Sequence, residues 1–521
     1  MKKFRPKAKF KRYDQGQMMV LPPSLDELIP RDHLVRVVDR TLEEMDMTRL
    51  YAPYKGGGTT SYDPKMMLKV IVYAYALKIY SGRKIARALR QDITFMWLSG
   101  MSRPDFRTIN LFRSGVLKET IEHIFSSMLM FLVEKEYVRF ENYFVDGTDM
   151  QADANKHKVV WKKNAKRYKE IAEQKLKQLF EKIDQLNEEE NKKYGDNDLE
   201  ETGTTSQVTD EQIKGYAAKI NKILQETSNK KDYCQGEKLK KEIKVQQEKL
   251  DKYQQQIDLS DERSGFSVTD PDATVMRTKT DELRPAYNVM IGTENQIIIN
   301  YSIHQNPSDT ANLISHLDQL DTHTDKKPEN MMGDAAFGSE ENYEALEQRK
   351  IGNYLKYNTF HQEQSRKHKE NRFHKDNFPY IDDQDRYICP NNKCLLFSHT
   401  EKKKTKSGYI IEQRVYECEN CEGCPYANEC KKTEKNRKIY VSEKYEKFKQ
   451  QARDNLNSEK GIKLRKQRGV ENESVFGDIK RNQSFNRFHV KSKNKVKAEF
   501  GIVAIAHNLK KIYLKQIKKA A

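Results

Sequence analysis

Three acids of this 521-residue chain stand where a backbone could present a reacting group. Asp146 ends an apolar run in Val-Asp-Gly-Thr (145–148). Asp334 ends another in Gly-Asp-Ala-Ala-Phe-Gly-Ser (333–339). Glu473 lies in a helical stretch, Glu-Asn-Glu-Ser-Val-Phe-Gly-Asp-Ile-Lys (471–480). Both aspartates precede small residues, so a ligand can come close to the chain there. Three carboxylates within a few ångströms of one another repel, and at least one is driven neutral. Two divalent cations would remove that penalty and bind phosphodiester oxygens, one activating the attacking oxygen and the other stabilising the leaving one. An oxygen-rich donor set favours Mg²⁺ or Mn²⁺. Lys480 follows Glu473 by two helical turns on the same face and is either a phosphate contact or a solvated lysine.

A second constellation is made of sulfur. Six of seven cysteines crowd into Cys389-x4-Cys394 … Cys418-x2-Cys421-x2-Cys424-x5-Cys430. The spacing reads as a zinc-ribbon-like knuckle in a reducing compartment, not as a disulfide framework. Tetrahedral zinc needs four thiolates where six are offered; the ion would be structural, holding a segment with little core of its own. Cys234 stands alone and reads as inert. The twelve histidines show no metal-ligand pattern, and His304, after a strand-like run, reads as structural.

The elements that must position these groups follow from periodicity. Residues 24–136 read as helical, with Asp63-Pro64 as a cap and first turn and Met67, Leu68, Ile71, Tyr75 and Leu77 at helical spacing. After the Ser81-Gly82 break, a short helix sets Arg83, Lys84, Arg87 and Arg90 against Ile85, Ala86 and Leu89. That suits a helix-turn-helix reading DNA, or an ordinary amphipathic surface helix. Residues 142–149 read as a buried strand, 286–292 and 296–303 as a hairpin, and 330–338 and 352–357 as further strands. Helices fall at 308–320 and 339–349, and the chain closes in helices at 463–483 and 494–519. Between the first two strands a charged helical insertion carries Ala172, Leu176, Leu179, Ile183 and Leu186, then Ile213, Tyr216, Ile220 and Ile223, then Leu239, Ile243, Leu250, Tyr253 and Ile257, with polar connectors near 195–208 and 228–236.

The predicted fold class is therefore α/β (α+β): an RNase H-like catalytic core with an all-helical N-terminal domain, a helical insertion and a small Cys-rich insertion. The expected boundaries are a basic tail at 1–23, the helical domain at 24–136, core at 137–160 and 261–379, the helical insertion at 161–260, the Cys-rich insertion at 380–435, and the rest of the core with basic helices at 436–521.

Net charge is +18, unevenly placed: residues 1–20 hold 7 basic and 1 acidic side chains, and 431–521 hold 26 and 9, leaving the middle near −5. Positive charge concentrated at both ends suggests a polyanion, most simply nucleic acid. A mean hydropathy of −0.93 and no uninterrupted apolar run of membrane length argue against a spanning segment. The first twenty residues lack the apolar centre of a secretory signal.

Together these motifs resemble the DDE transposases of bacterial insertion sequences, in the branch whose last acid lies in a Tyr-x2-Arg…Glu-x6-Lys signature. The likeness spans about 25–515. Val-Asp-Gly-Thr is similar to the first acid motif and 333–346 to the second. Arg-Pro-Asp-Phe-Arg-Thr-Ile-Asn-Leu-Phe-Arg (103–113) resembles a stretch of the helical domain, and 269–273 with 285–289 the approach to the second strand. In 465–488, Glu473-x6-Lys480 fits the signature and Arg468 takes the arginine place, with four residues to the glutamate where three are usual. Arg465 stands where the tyrosine belongs. Glu471 competes with Glu473, but the phasing to Phe476, Gly477 and Lys480 favours Glu473. The resemblance implies metal-dependent cleavage of double-stranded DNA at element ends, then attack of the freed 3′-OH on target DNA. It further implies a homodimer on DNA, no membrane, and a bacterial cytoplasmic location near the nucleoid. It makes Asp146, Asp334 and Glu473 the catalytic magnesium ligands and Cys389, Cys421, Cys424 and Cys430 the zinc ligands, with Cys418 the main substitute and Cys394 a bystander. Lys480, Arg481, Arg468 and Arg487, with Arg83, Lys84 and Arg87, are the expected DNA contacts; Arg481 and Arg487, flanked by Phe485 and Phe488, could equally form a surface face over buried aromatics. A nuclease of the same fold that cuts without joining, or a non-catalytic DNA-binding protein, are the competing functions.

Overall fold

The computed structural model describes residues 24–54, 61–194, 208–226, 230–278 and 281–520. The predicted basic tail and most of the first polar connector lie outside them, as do the side chains of Leu186 and Ile223.

Five strands carry the core: β1 (Asn142–Gln151), β2 (Leu283–Glu294), β3 (Ile297–His304), β4 (Asn330–Gly333) and β5 (Gly352–Leu355). Their order is β3-β2-β1-β4-β5. β1 is antiparallel to β2 and parallel to β4, and β4 is parallel to β5. This mixed order, two hairpin-linked strands on one side of β1 and two crossover strands on the other, is the RNase H-like arrangement expected. The first turns of β2 pair instead with Thr274–Arg277, and two further short strands, Gly265–Ser267 and Val159–Trp161, extend the sheet there.

Every residue of β3 is buried. Helix Leu313–His323 and the terminal helix Lys493–Ala520 both pack against it, which explains a run of apolar residues without alternation. The terminal helix also blunts the open edge of β3: the Asn508 side chain accepts from the Ile298 amide and donates to its carbonyl, each at 2.8 Å. The start of that helix is capped from the 269–273 motif, with Asp270 and Asp272 accepting from the amides of Ser492 and Lys493.

Helices Pro64–Ala76 and Val116–Glu134 pack on the same terminal helix, and one continuous apolar core runs from them into the sheet. The insertion helices Lys162–Tyr194, Asp210–Glu226 and Lys230–Ser260 have a separate core, in which Leu176, Ile183, Ile213 and Ile243 meet and the Phe180 and Tyr216 rings stack at 4.1 Å. Pairing of Val159–Trp161 with Gly265–Ser267 closes the base of the insertion. The predicted second connector, 228–236, is shorter than expected: helix already runs from Lys230, since no proline interrupts it.

The Cys-rich segment forms a second sheet, ordered Lys438–Val441, Ile410–Cys418, Cys394–Lys404, Arg386–Ile388, Tyr380–Ile381. Its strands went unseen in the sequence because their outward residues are charged and their buried face is small. No helix among the described residues is long and apolar enough to cross a membrane.

Candidate active site

Register brings the two aspartates together. Asn142, Tyr143 and Phe144 of β1 pair with Asn330, Met331 and Met332 of β4. Asp146 lies two residues beyond the last paired residue of β1, and Asp334 directly follows the end of β4, so the parallel pairing carries both acids to the same end of neighbouring strands. The predicted strand 330–338 stops at Gly333 because the Asp334 side chain accepts from the Ala336 amide at 2.9 Å and turns the chain.

Arg468 lies between them. Its Nη2 is 3.8 Å from Asp146 Oδ1 and 3.4 Å from Asp334 Oδ2, while its Nε is buried without a hydrogen-bond partner. The arginine thus stands where a cation would balance two converging carboxylates. Even so, burial pushes the Asp146 carboxyl up to about 6; Arg468 pulls it down, and Asp334 and Asp309 push it higher.

Asp309 was not anticipated. It follows β3 and fills the space over Gly147, where an added Cβ would fall 2.3 Å from its Oδ1. Asn288 Nδ2 of β2 donates to that oxygen at 2.6 Å. Gly147 therefore admits an acid of the protein itself. No local pattern in the sequence marks it: Asp309 lies five residues beyond the end of β3, and its place over Gly147 comes from packing.

The signature segment is a helix with wide turns: Glu459–Arg468 is α, Gly469–Glu473 and Asp478–Asn482 are π, and Ser474–Gly477 is α. A π turn takes up one additional residue without breaking a helix, which accommodates the extra residue between Arg468 and Glu473. The first π turn packs on β1 and β2. Glu471 is buried there, accepting from the Gln296 amide at 2.6 Å and from Gln467 at 3.1 Å, and Asn472 accepts from Thr293 at 2.6 Å. Glu473 is exposed. It faces the same neighbourhood as Asp334: both carboxylates act on Lys356, whose ammonium is lowered by burial and then by Arg468, with Asp334 and Glu473 opposing.

The predicted DNA contacts divide. Lys480 Nζ donates to Thr148 Oγ1 at 2.7 Å and to the Asp149 carbonyl at 2.6 Å, so it fastens the signature helix to β1 and is not a solvated lysine. Arg481 is exposed; Arg487 is exposed and pairs with Asp153 at 2.6 Å, with Phe485 and Phe488 buried behind. Arg83, Lys84 and Arg87 line the exposed face of helix Gly82–Gln91, whose other face buries Ile85, Ala86 and Leu89. Arg83 lies over the Phe106 ring.

Cys389, Cys418, Cys421, Cys424 and Cys430 line one small cavity. Cys394, the expected bystander, lies outside it, in register with Ile388. The amides of Lys393 and Arg437 donate to the sulfurs of Cys389 and Cys421 at 3.3 and 3.4 Å. Burial pushes the Cys418 thiol up to about 12, with Cys421 adding to it, and raises Cys430 as well. The soft donors of this pocket suit zinc by type, and a bound ion would offset the burial that disfavours the Cys418 and Cys430 thiolates. The carboxylate site likewise suits hard cations by donor type, Asp146 and Asp334 facing each other across a positive charge.

No curated protein and no solved structure matches the chain significantly. Two family models do: residues 23–115 match the Transposase domain (DUF772), and 388–513 match the Transposase DDE domain. The second match takes in the three longest strands of the Cys-rich sheet, Arg468, Glu473 and Lys480; the first takes in the helix-turn-helix candidate. DDE domains of this kind are nuclease-type polynucleotidyl transferases that use a divalent metal and act on DNA. Both matched segments are transposase domains, one in the helical N-terminal region and one spanning most of the Cys-rich sheet and the signature helix, and together they support a DDE transposase of an insertion sequence.

Proposed function

We propose that the protein cleaves DNA at the ends of an insertion sequence and joins the freed 3′-OH to target DNA, with Asp146, Asp334 and Glu473 as its catalytic carboxylates. The observation that carries this reading is the convergence of Asp146 and Asp334 on the one guanidinium of Arg468. Bound divalent ions, Mg²⁺ or Mn²⁺, would supply charge neutralisation at the scissile phosphate and activation of the attacking oxygen. The chain's part is positional. β1 holds Asp146 within a strand and Asp334 caps the turn that directly follows β4, while Lys480 locks the signature helix onto β1 so that Glu473 keeps its place. Arg468 balances the acids before DNA arrives and is placed to meet a phosphate afterwards. Arg481, Arg487, Arg83, Lys84 and Arg87 would contact the DNA backbone on exposed faces. A structural zinc on Cys389, Cys421, Cys424 and Cys430 would hold the second sheet together. The working form is a dimer pairing two element ends, in the bacterial cytoplasm at the nucleoid.

The test is a plasmid carrying the element ends, incubated with protein and Mg²⁺. Asp146→Asn, Asp334→Asn and Glu473→Gln should each abolish cutting by a factor of about 10³ or more while leaving DNA affinity within a few-fold. Normal cutting by any of the three removes that residue from the site. Cut products without joined ones would make the protein a nuclease, and binding without cutting a DNA-binding protein.

A further inference from the structure

The sequence shows no histidine pattern, yet the fold makes one. Among the described residues, His368, His374 and Asp376 form a group whose potential ligand atoms all lie within 4.8 Å of one another. The two imidazole rings are 4.4 Å apart between centroids, and His374 Nδ1 is 3.7 Å from Asp376 Oδ2. His368 Nε2 is buried and has no hydrogen-bond partner, an arrangement that ordinarily costs stability.

The surrounding chain holds these groups in place. Ser365 caps the short helix that carries His368. Asn377 Nδ2 donates to the carbonyls of His368 and Asn371 at 2.7 and 2.9 Å, closing the loop. Lys449, on helix Glu443–Asn457, reaches Asp376 Oδ2 at 3.3 Å and is held from its other side by Glu363 at 2.7 Å. His368, Asp376 and Lys449 line a cleft of about 420 Å³. The same loop touches the cysteine segment, with Arg372 4.2 Å from the Tyr426 ring and Phe373 packed beside it.

We propose that His368, His374 and Asp376 form a second transition-metal site, separate from the cysteine cavity, that binds Zn²⁺ and clamps segment 366–378 between the core and the Cys-rich sheet. Two imidazole nitrogens and one carboxylate oxygen select a borderline ion over Mg²⁺. Three protein ligands leave a fourth position for water, open to the cleft. Lys449 pairs with Asp376 Oδ2, the oxygen that also faces His374 Nδ1, and so fixes the orientation of the carboxylate. The need is physical: the segment joining β5 to the second sheet has little regular structure and few buried apolar residues, so a metal substitutes for core.

The experiment uses the full chain, stripped with chelator and reloaded with Zn²⁺ or Co²⁺. Elemental analysis should find one more equivalent of zinc in the parent than in His368→Ala/His374→Ala. With Co²⁺, only the cysteine site gives intense thiolate-to-metal charge transfer. The histidine variant should keep that band and lose only weak d–d absorption, while Cys421→Ser/Cys424→Ser should show the reverse. Asp376→Asn, nearly isosteric, covers the case in which the double variant fails to fold; it should weaken the non-thiolate site at least ten-fold with circular dichroism unchanged. Equal zinc in parent and histidine variants, or loss of all metal with the cysteine variant, overturns the proposal.

Discussion

At the scale of single residues, Asp146 shows how a reactive site stores instability. Its ordinary carboxyl value is 3.8; burial first, with Asp334 and Asp309 adding, brings it to about 6 against the pull of Arg468. The folded state therefore prefers the protonated acid. That preference stabilises fully below about pH 4 and is lost as pH rises through about 6, so the ionised carboxylate is a net cost at neutral pH. The shift corresponds to about 2–3 kcal/mol as an upper bound. Asp146→Asn should accordingly melt higher than the parent at pH 7.5 in chelator, the gap should close below pH 4, and Mn²⁺ should raise only the parent. Thermal melts across pH, with and without Mn²⁺, measure all three. A gap independent of pH would mean that the carboxyl is not buried against its neighbours. The sequence pointed to Asp146 and Asp334 because apolar runs ending in acids are local patterns. It could not point to Asp309 or to Arg468 as their countercharge, since both contacts come from register and packing.

At the scale of elements, the signature helix does two jobs with neighbouring glutamates. Glu471 ties it to the β2–β3 turn through the Gln296 amide, and Glu473, two residues on, is left facing outward. Heptad and strand periodicities were legible here and in the insertion, where Leu176, Ile183, Ile213 and Ile243 form the expected separate core. The π turns were not, because a wide turn changes phase without changing composition. The Cys-rich strands hid for a related reason: most residues of Cys394–Lys404 are exposed, so apolar alternation is missing. The division of labour between the glutamates is testable. Glu471→Ala leaves the Gln296 amide without its acceptor and should cost about 1–3 kcal/mol of stability. Glu471→Gln keeps an acceptor and should hold both stability and DNA cutting near parent levels, unlike Glu473→Gln. If Glu471→Gln loses cutting as completely as Glu473→Gln, the assignment of the third acid moves to Glu471.

At the scale of the molecule, the helical N-terminal region and the sheet are not separate bodies joined by a linker. Glu499, in the terminal helix, is fully buried and accepts from Tyr75 at 2.7 Å and from the His489 amide at 2.8 Å, with Arg113 3.6 Å away. Arg113 also donates to Tyr75 and to the Tyr80 carbonyl, each at 2.9 Å, and the Tyr80 hydroxyl donates to the Gln483 carbonyl at 2.6 Å. The helices that carry the exposed Arg83, Lys84 and Arg87 are thus wired to the segment that follows Lys480. Removing one member of a buried charge pair strands its partner, at a cost of about 3–5 kcal/mol, whereas replacing both by apolar groups of similar size is often neutral. Glu499→Leu should therefore destabilise strongly, and Arg113→Met in addition should recover a large share of the loss. Denaturant unfolding followed by two probes, one in the N-terminal helices and one in the sheet, should give coincident transitions in the parent. In Glu499→Leu the N-terminal probe should move first, and the double variant should bring the two back together. Separate transitions in the parent would refute the shared core, because a continuous apolar interior and a buried ion network crossing it leave the two regions no route to unfold apart.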